Sequence, residues 1–217
     1  MKKGKLLFFA TITLVISAFV FNACTKDDTT PPEIKLKGDK IMTIELNSTF
    51  VEPGYTAEDD EDGDITSSVV VTGTVNVNSA GTYSLTYTVS DAAGNIGTTT
   101  RTVIVKNAAS YLEGNYSVID IADGYQSTYT DHITASSTVN NKVWVDYFAN
   151  YENGSVYFTI SGNTVTIPSQ NVTCGSPSTE RNFVGSGTIT GTKINLTYTE
   201  SVIGSNSIAG SQEYTKQ

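Results

Sequence analysis

The segment GTYSLTYTVSDAAGN, residues 81–95, alternates apolar side chains with Thr and Ser and ends in a turn sequence. Its apolar members stand at every second position: Tyr83, Leu85, Tyr87 and Val89. Because successive side chains of a strand point to opposite sides, these four share one face. A β-branched stretch, residues 98–105, supplies a further strand after the turn at Gly94. The segment predicts two-faced strands with one buried side.

The same period of two extends over residues 34–106, where turn sequences separate short strands. Apolar residues alternate with polar ones at Ile34, Leu36, Met42, Ile44 and Leu46. Turn residues separate the runs at 53–54, 62–64 and 80–81. Several short two-faced strands within one segment of this length are typical of an Ig-like β-sandwich. The Cys and Trp pattern of antibody domains is absent from the segment, so we expect the generic sandwich.

An ordered series of motifs identifies a family for this segment. The motifs are YTA at 55–57, DDEDGDIT at 59–66, AGTY at 80–83, YTVSD at 87–91 and AGN at 93–95. With them, residues 33–106 resemble the bacterial surface Ig-like modules first named for a pesticidal crystal protein and common in Bacteroidetes lipoproteins. The resemblance implies a sandwich that serves as a stalk or adhesion spacer. It supplies no catalytic residues.

Residues 1–23 have the pattern of a secretory signal peptide. Lysines open the chain, and residues 6–21 form an apolar run that is short for a membrane span. The run ends in Phe21-Asn22-Ala23-Cys24, which resembles the lipobox of bacterial lipoproteins. That resemblance implies cleavage before Cys24 and attachment to the outer membrane through acyl chains on Cys24. The alternative is an ordinary signal peptide followed by an incidental cysteine.

Residues 24–33 are expected to form an acylated tether. Its segment Thr25-Lys26-Asp27-Asp28 resembles the surface-export signal of Bacteroidetes lipoproteins, which implies an exposed location on the outer membrane. An ordinary solvated tether on a periplasm-facing lipoprotein is the alternative. Loss of residues 1–23 leaves 10 basic against 22 acidic residues, a net charge of −12. Such a charge disfavours nucleic-acid binding, which depends on basic side chains.

Residues 107–110 are predicted to be a short linker, and residues 111–217 a second β domain. Nine of the 12 Tyr and the single Trp lie after residue 110. Residues 160–167 match residues 189–196 in type, each as strand, glycine turn and strand. Repeated hairpins predict an antiparallel meander of about eight strands that closes into a barrel or flattened sandwich. With the segment 112–116, they resemble the lipocalin-like C-terminal domains of two-domain Bacteroides lipoproteins. We therefore expect an all-β protein.

The acidic run around residues 58–64 is a candidate cation site. Its spacing follows a calcium loop in part, although Val69 stands where a bidentate Glu is needed and flanking helices are absent. Repulsion among the carboxylates would be relieved by Ca²⁺, and Asp91 ends a neighbouring strand. The candidate ligands are Glu58, Asp60, Asp62, Asp64 and Asp91. The alternative is a solvated turn whose Asp side chains accept backbone N–H groups.

An aromatic segment of the second domain offers candidate ligand-binding residues. If Val143 and Val145 point inward, their alternating neighbours point outward and could stack on sugar rings around a carboxylate. If Trp144 points inward, the same residues are ordinary core. Two further tyrosines near Gly124 fit a loop at the barrel mouth. The candidates are Trp144, Asp146, Phe148, Tyr151, Tyr125 and Tyr129.

The sequence carries no nucleophile elbow, phosphate loop, Cys/His cluster or dinucleotide fingerprint. We therefore expect a protein that is not an enzyme and has no cofactor, with Ca²⁺ at the acidic run as the one candidate; a glycoside hydrolase is a distant alternative. Two functions stay open. In the first, an Ig-like stalk presents a barrel that binds a glycan or other small ligand. In the second, the chain is a structural accessory or adhesion subunit that binds another protein of an outer-membrane uptake complex.

Overall fold

The computed structural model describes residues 27–202 and 204–217, which form an all-β protein. The expected signal peptide, Cys24 and the first residues of the tether lie outside the described residues. Within the part of the chain that is described, no helix has the length and apolar character needed to cross a membrane.

The described residues contain fifteen strands and three short 3-10 segments. The strands are β1 (Glu33–Leu36), β2 (Ile41–Glu45), β3 (Tyr55–Asp59), β4 (Gly63–Asp64), β5 (Val70–Thr72), β6 (Gly81–Ser90), β7 (Ile96–Lys106), β8 (Gly114–Ala122), β9 (Tyr125–Ala135), β10 (Lys142–Val145), β11 (Val156–Ser161), β12 (Thr164–Cys174), β13 (Thr179–Thr190), β14 (Lys193–Val202) and β15 (Ile208–Lys216). The 3-10 segments are Thr66–Ser68, Ala108–Leu112 and Phe148–Asn150.

Strands β1–β7 form a sandwich of two sheets, ordered β1-β3-β4 and β2-β7-β6-β5. Strand β2 runs parallel to β7, and the other pairs are antiparallel. The predicted alternation along β6 is confirmed, because Leu85, Tyr87 and Val89 are buried. The core also encloses Arg101, which pairs with Glu52 at 3.0 Å.

Strands β8–β15 form a closed antiparallel barrel in which each strand pairs with its sequence neighbour and β15 returns to β8. Both predicted hairpins are confirmed. Ile160 pairs with Val165 across one turn, and Ile189 pairs with Ile194 across the other. The turns pass through Gly162 at φ 56° and Gly191 at φ 63°. That left-handed backbone suits glycine because it has no Cβ.

Aromatic side chains fill the barrel. Phe148 lies with its ring centroid 5.9, 5.2 and 5.0 Å from those of Phe158, Phe183 and Tyr198. The Tyr116 and Tyr214 rings pack edge to face at 6.0 Å, and both residues are fully buried. The interior is therefore a packed core.

The Asn107 side chain fixes the chain where the sandwich ends and the barrel begins. Its Nδ2 donates to the carbonyl oxygens of Ser136, Val139 and Lys142 at 2.9, 3.1 and 3.0 Å. Its Oδ1 accepts from the backbone N–H groups of Ala109 and Asn141, each at 2.9 Å. Only 2% of the residue is exposed. The predicted linker is therefore part of an ordered structure.

The loop held by Asn107 also contacts the sandwich. Ala80 N–H donates to the Ser137 carbonyl at 2.7 Å, and Asn140 N–H donates to Asn47 Oδ1 at 2.9 Å. Asn140 Nδ2 donates to Glu45 Oε2 at 3.2 Å. Because the strands run up and down, the turns at residues 162 and 191 lie at this same end of the barrel. The opposite end faces away from the sandwich.

The substitution Asn107→Ala should lower the free energy of unfolding of the barrel by about 3 kcal/mol, because it leaves several buried backbone groups without partners. Urea unfolding followed by tryptophan fluorescence would measure this change. The control is Asn163→Ala at an exposed hairpin turn, which should change stability by less than about 0.5 kcal/mol. Equal losses in the two variants would contradict the role assigned to Asn107.

Candidate functional site

A partly exposed aromatic patch lies on the outer wall of the barrel and is formed by Lys142, Trp144 and Tyr157. Trp144 and Tyr157 are directly paired across β10 and β11, and their ring centroids are 5.5 Å apart. The Lys142 Nζ lies 4.2 Å from the Trp144 centroid and 4.0 Å from the Tyr157 centroid. Val143 and Val145 are fully buried, whereas Trp144 is 36% exposed. The open question of which way Trp144 faces is thus answered: it faces outward.

A bulge in β12 holds Tyr157 in place. The register between β12 and β13 shifts between Ile167 and Gln170. Across the resulting gap, Tyr157 N–H donates to Gln170 Oε1 at 3.0 Å, and Gln170 Nε2 donates to the Tyr157 carbonyl at 2.9 Å. The amide side chain therefore replaces a strand partner. It keeps the aromatic patch on a rigid wall.

The expectation that Phe148 shares the outward face of Trp144 is wrong. Strand β10 ends at Val145, and Phe148 lies in a 3-10 segment with its side chain fully buried in the barrel. The reversal has a physical cause: Asp131 Oδ1 accepts the backbone N–H groups of Asp146 and Tyr147 at 3.1 and 2.9 Å. This pulls the chain inward. Asp146 itself is exposed beside the end of β10.

A buried polar cluster lies at the end of the barrel that faces away from the sandwich. Arg181 Nη1 forms an ion pair with Glu200, and the guanidinium lies 4.2 Å from the Tyr151 ring centroid. The Tyr151 hydroxyl donates to Glu200 Oε1 at 3.0 Å. Burial, together with the Glu200 charge, raises the pKa of Tyr151 to about 12. Tyr151 is thus a partly buried residue whose ring packs against the core.

Hydrogen bonds extend the cluster across the barrel. The Tyr198 hydroxyl donates to Asp120 Oδ1 at 3.0 Å, and Gln212 Nε2 donates to the Tyr129 hydroxyl at 3.2 Å. Burial raises the pKa of the Asp120 carboxyl above its usual range, although the Tyr198 and Gln212 side chains lower it in part. Tyr129 therefore faces inward. Tyr125, at 81% exposed, lies at the tip of the β8–β9 hairpin, so the two tyrosines do not form one site.

The sequence analysis did not predict the polar cluster, whose members Tyr151, Arg181 and Glu200 lie far apart in the chain. A usable signal was present. On β13 and β14, Arg181 and Glu200 stand two positions from Phe183 and Tyr198, on the same inward face. Period two alone therefore places these charges inside the barrel. Buried charges of this kind need partners.

A second outer feature is a shallow groove across β13, β14, β15 and β8. It comprises two open cavities of about 770 and 640 Å³. Its apolar members are Ile119, Ile121 and Val184, which are 37%, 44% and 43% exposed. Hydroxyl-bearing residues such as Ser186, Thr197 and Ser211 lie between them.

The acidic turn of the sandwich does not bring the predicted calcium ligands together. Asp62 Oδ2 accepts Ala92 N–H at 2.6 Å, and Asp64 Oδ1 accepts Thr66 N–H at 3.0 Å. Both carboxylate oxygens of Asp91 accept from Asn95: Oδ1 from the backbone N–H at 2.7 Å and Oδ2 from Nδ2 at 2.8 Å. These three carboxylates therefore stabilise turns. Of the predicted set, Asp60 belongs to a different acidic group, with Asp28 and Asp59, and Glu58 lines the cavity beside Asp59 and Asp60.

Two reactive side chains take no part in these sites. Cys174 is fully buried beside Arg181, and burial raises the pKa of its thiol. A thiol with a raised pKa forms less thiolate, the reactive species. His132 is exposed, with its Nδ1 2.7 Å from Asn115 Oδ1.

Residues 34–105 match the family model described as a bacterial surface protein, Ig-like domain. The matched residues coincide with the two-sheet sandwich, which is thus an Ig-like domain. Among solved structures, the chain is similar to a lipoprotein from Bacteroides thetaiotaomicron, with 25% identity over 86% of this chain and 100% of that one, at a TM-score of 0.37.

Two structures of Clostridium perfringens ZmpB are also similar. One holds the CBM51-2 domain in complex with GlcNAc and the INT domains; it is 14% identical over 85% of this chain and 43% of that one, at a TM-score of 0.29. The other holds the M60 catalytic domain with the CBM51-1 and CBM51-2 domains. It is 15% identical over 85% of this chain and 21% of that one, at a TM-score of 0.29. No curated protein sequence matches this chain.

Lowering the pH from 7 to 4 should add a stabilising contribution from two buried carboxylates of the barrel. Burial raises the pKa values of both Asp120 and Asp131. The folded protein therefore binds protons at a higher pH than the unfolded chain does, and the penalty for burying the charges is relieved as the pH falls through the raised pKa values. Urea unfolding at pH 7, 6, 5 and 4 would measure how the free energy of unfolding changes with pH.

The gain in the free energy of unfolding on lowering the pH should be smaller in Asp120→Asn. This variant keeps an acceptor for the Tyr198 hydroxyl but cannot titrate. Asp123→Asn, at an exposed hairpin position, is the matched control and should keep the wild-type slope. An unchanged slope in Asp120→Asn would refute the assignment to Asp120.

Proposed function

We propose that this chain is a non-catalytic, lipid-anchored protein of the bacterial outer membrane surface whose barrel binds a glycan on the aromatic patch. The observation that carries the proposal is the outward orientation of Trp144 beside Tyr157. Apolar C–H faces of sugar rings stack on aromatic rings. The Lys142 ammonium beside the rings would donate to sugar hydroxyl groups, and the exposed Asp146 carboxylate, just past the end of β10, would accept from them.

Rigidity of the aromatic patch supports this function. Tyr157 is fixed by Gln170, and Trp144 lies between two buried valines of the same strand. Binding therefore orders few side chains, which lowers its entropic cost. The flexible Lys142 side chain covers the rings and would move to the edge of a bound sugar while keeping its charge within hydrogen-bond reach.

The arrangement of the two modules supports a stalk. Hydrogen bonds from Ala80 and to Asn47 join the sandwich to the barrel loop that Asn107 holds. Cys24 precedes the sandwich in sequence, so an acyl anchor on it would leave the barrel at the far end of the chain from the membrane. A barrel fixed in this way would present the aromatic patch to ligands outside the cell.

The exposed groove favours a second candidate function, binding of another protein. Ile119 and Ile121 on β8 and Val184 on β13 place exposed apolar side chains on the two sides of the groove, and exposed apolar surface often marks a protein interface. The groove lies on strands away from β10 and β11. Substitutions can therefore separate the two functions.

The substitution Trp144→Ala should weaken glycan binding at least ten-fold, because it removes the larger stacking surface. A glycan array would identify the ligand, and calorimetry would measure affinity for wild type and variant. Tyr125→Ala, which removes another exposed aromatic ring, and Ile121→Ser, in the groove, should bind as the wild type does. Unchanged thermal stability of Trp144→Ala would show that the barrel is intact.

A binding signal that does not differ from one glycan on the array to the next would overturn the glycan proposal. Loss of binding to a defined protein partner in Ile121→Ser, with Trp144→Ala unaffected, would establish the second candidate instead.

The substitution Cys24→Ser should abolish membrane attachment, because acyl chains on the sulfur would be its main source of membrane affinity. Incorporation of labelled palmitate by cells that express wild type or variant would test this. Labelling should be present in the wild type and absent in Cys24→Ser. Equal labelling of both would contradict the anchor.

A further inference from the structure

A compact acidic group lies where the tether meets the sandwich. Asp28, Asp59 and Asp60 each place a carboxylate oxygen within 4.8 Å of the others. Asp28 comes just before β1, whereas Asp59 ends β3 and Asp60 follows it. The group therefore joins two segments that are about 30 residues apart in sequence.

Asp59 has an oxygen that no group of the described residues satisfies. The residue is 8% exposed, and its Oδ1 accepts the backbone N–H groups of Glu61 and Asp62, each at 3.0 Å. Its Oδ2 is buried and has no hydrogen-bond partner within residues 27–202 and 204–217. A buried carboxylate oxygen without a donor is costly unless a cation compensates it. This oxygen is an independent indication of a ligand.

Asp28 is held in position by the sandwich and by its own turn. Its Oδ1 accepts Thr30 N–H at 2.8 Å, and its carbonyl accepts Asn95 Nδ2 at 3.2 Å. Beside the group lies a cavity of about 280 Å³, whose walls include Glu33 and Glu58. Lys35 pairs with Glu33 at 3.2 Å on the exposed side. The surroundings of Asp59 are thus strongly negative.

We propose that Asp28, Asp59 and Asp60 bind a Ca²⁺ ion. All three offer oxygen ligands, which suits a hard cation, and none offers the nitrogen or sulfur that zinc or copper prefers. The group sits partly at the surface, so water can complete the six to eight ligands that Ca²⁺ requires. Mg²⁺ demands near-ideal octahedral geometry and gives up its water less readily.

A bound ion would link the tether to the sandwich. Residue 28 would be joined to the β3–β4 turn, so the chain would leave the sandwich in one fixed direction. This inference rests on the acidic group alone. It is independent of the glycan proposal, and either can fail without the other.

Calcium titration of the full chain in detergent, after removal of metal with EDTA, tests the proposal. We expect saturable binding with a Kd of about 10⁻⁴–10⁻³ M, the range of extracellular calcium modules. Asp59→Asn and Asp28→Asn should each raise the Kd at least ten-fold. Asp64→Asn is the matched control: it removes one charge from the same turn and should change the Kd less than about two-fold.

Two further measurements separate metal binding from misfolding. Asp59→Asn keeps the acceptor for Glu61 and Asp62, and its amide can donate to the neighbouring carboxylates. In EDTA this variant should therefore melt at or above the wild-type temperature while losing the calcium-dependent rise in Tm. Hydrogen exchange in residues 27–33 should slow on addition of Ca²⁺ in the wild type and in Asp64→Asn, but not in Asp59→Asn.

Absence of saturable binding up to about 10 mM Ca²⁺ would overturn the proposal. A loss of affinity in Asp64→Asn as large as that in Asp59→Asn would also overturn it, because it would show diffuse attraction by the acidic turn. Equal stabilisation by Mg²⁺ and Ca²⁺ would contradict the choice of cation.

Discussion

Closure of the barrel is the constraint on which the rest of the second module depends. Once β15 pairs with β8, most inward side chains lie out of contact with water and must pack or find a polar partner. Aromatic rings meet this requirement over most of the interior. Gly210 contributes by leaving room for the Tyr198 ring, since a Cβ at that position would collide with it. The packed interior leaves the outer wall as the surface on which the proposed glycan would bind.

Each module places one arginine in its interior, and the two solutions are alike. Arg101 of the sandwich pairs with Glu52 and donates from Nε to the Tyr87 hydroxyl at 3.3 Å. Arg181 of the barrel pairs with Glu200 and lies over a tyrosine ring. A planar guanidinium can satisfy several acceptors at once, which suits it to enclosed positions. Loss of either glutamate would leave a buried charge without its partner.

The fold followed from local patterns because strand alternation and turn residues are local. The faces of β6, the two glycine hairpins and the meander of about eight strands were all predictable. Only one member of the aromatic patch pair could be predicted. Trp144 was a candidate, whereas its partner Tyr157 lies on another strand, and the sequence of neither strand alone determines the register in which the two strands pair.

The incorrect expectations for Phe148 and for the acidic run also result from contacts between segments that are separate in the sequence. Phe148 departs from the alternation because Asp131, on the paired strand β9, accepts the N–H groups that turn the chain inward. Asp59 lies inside the acidic run, yet only the fold shows that it is the buried member and that Asp28 approaches it. Long-range hydrogen bonds and burial decide both cases, and neither leaves a signature in residue spacing.

The segment that closes the far end of the barrel shows which effect dominates there. Ala149 and Asn150 adopt φ values of 54° and 59°, and a left-handed alanine costs about 1–2 kcal/mol. Against this, Phe148 is fully buried among Phe158, Phe183 and Tyr198, and removing such a ring costs about 3–5 kcal/mol. Burial outweighs the backbone strain, so the ring stays in the barrel mouth. A ligand that entered the interior would have to displace it, whereas one that bound on Trp144 would leave the core untouched.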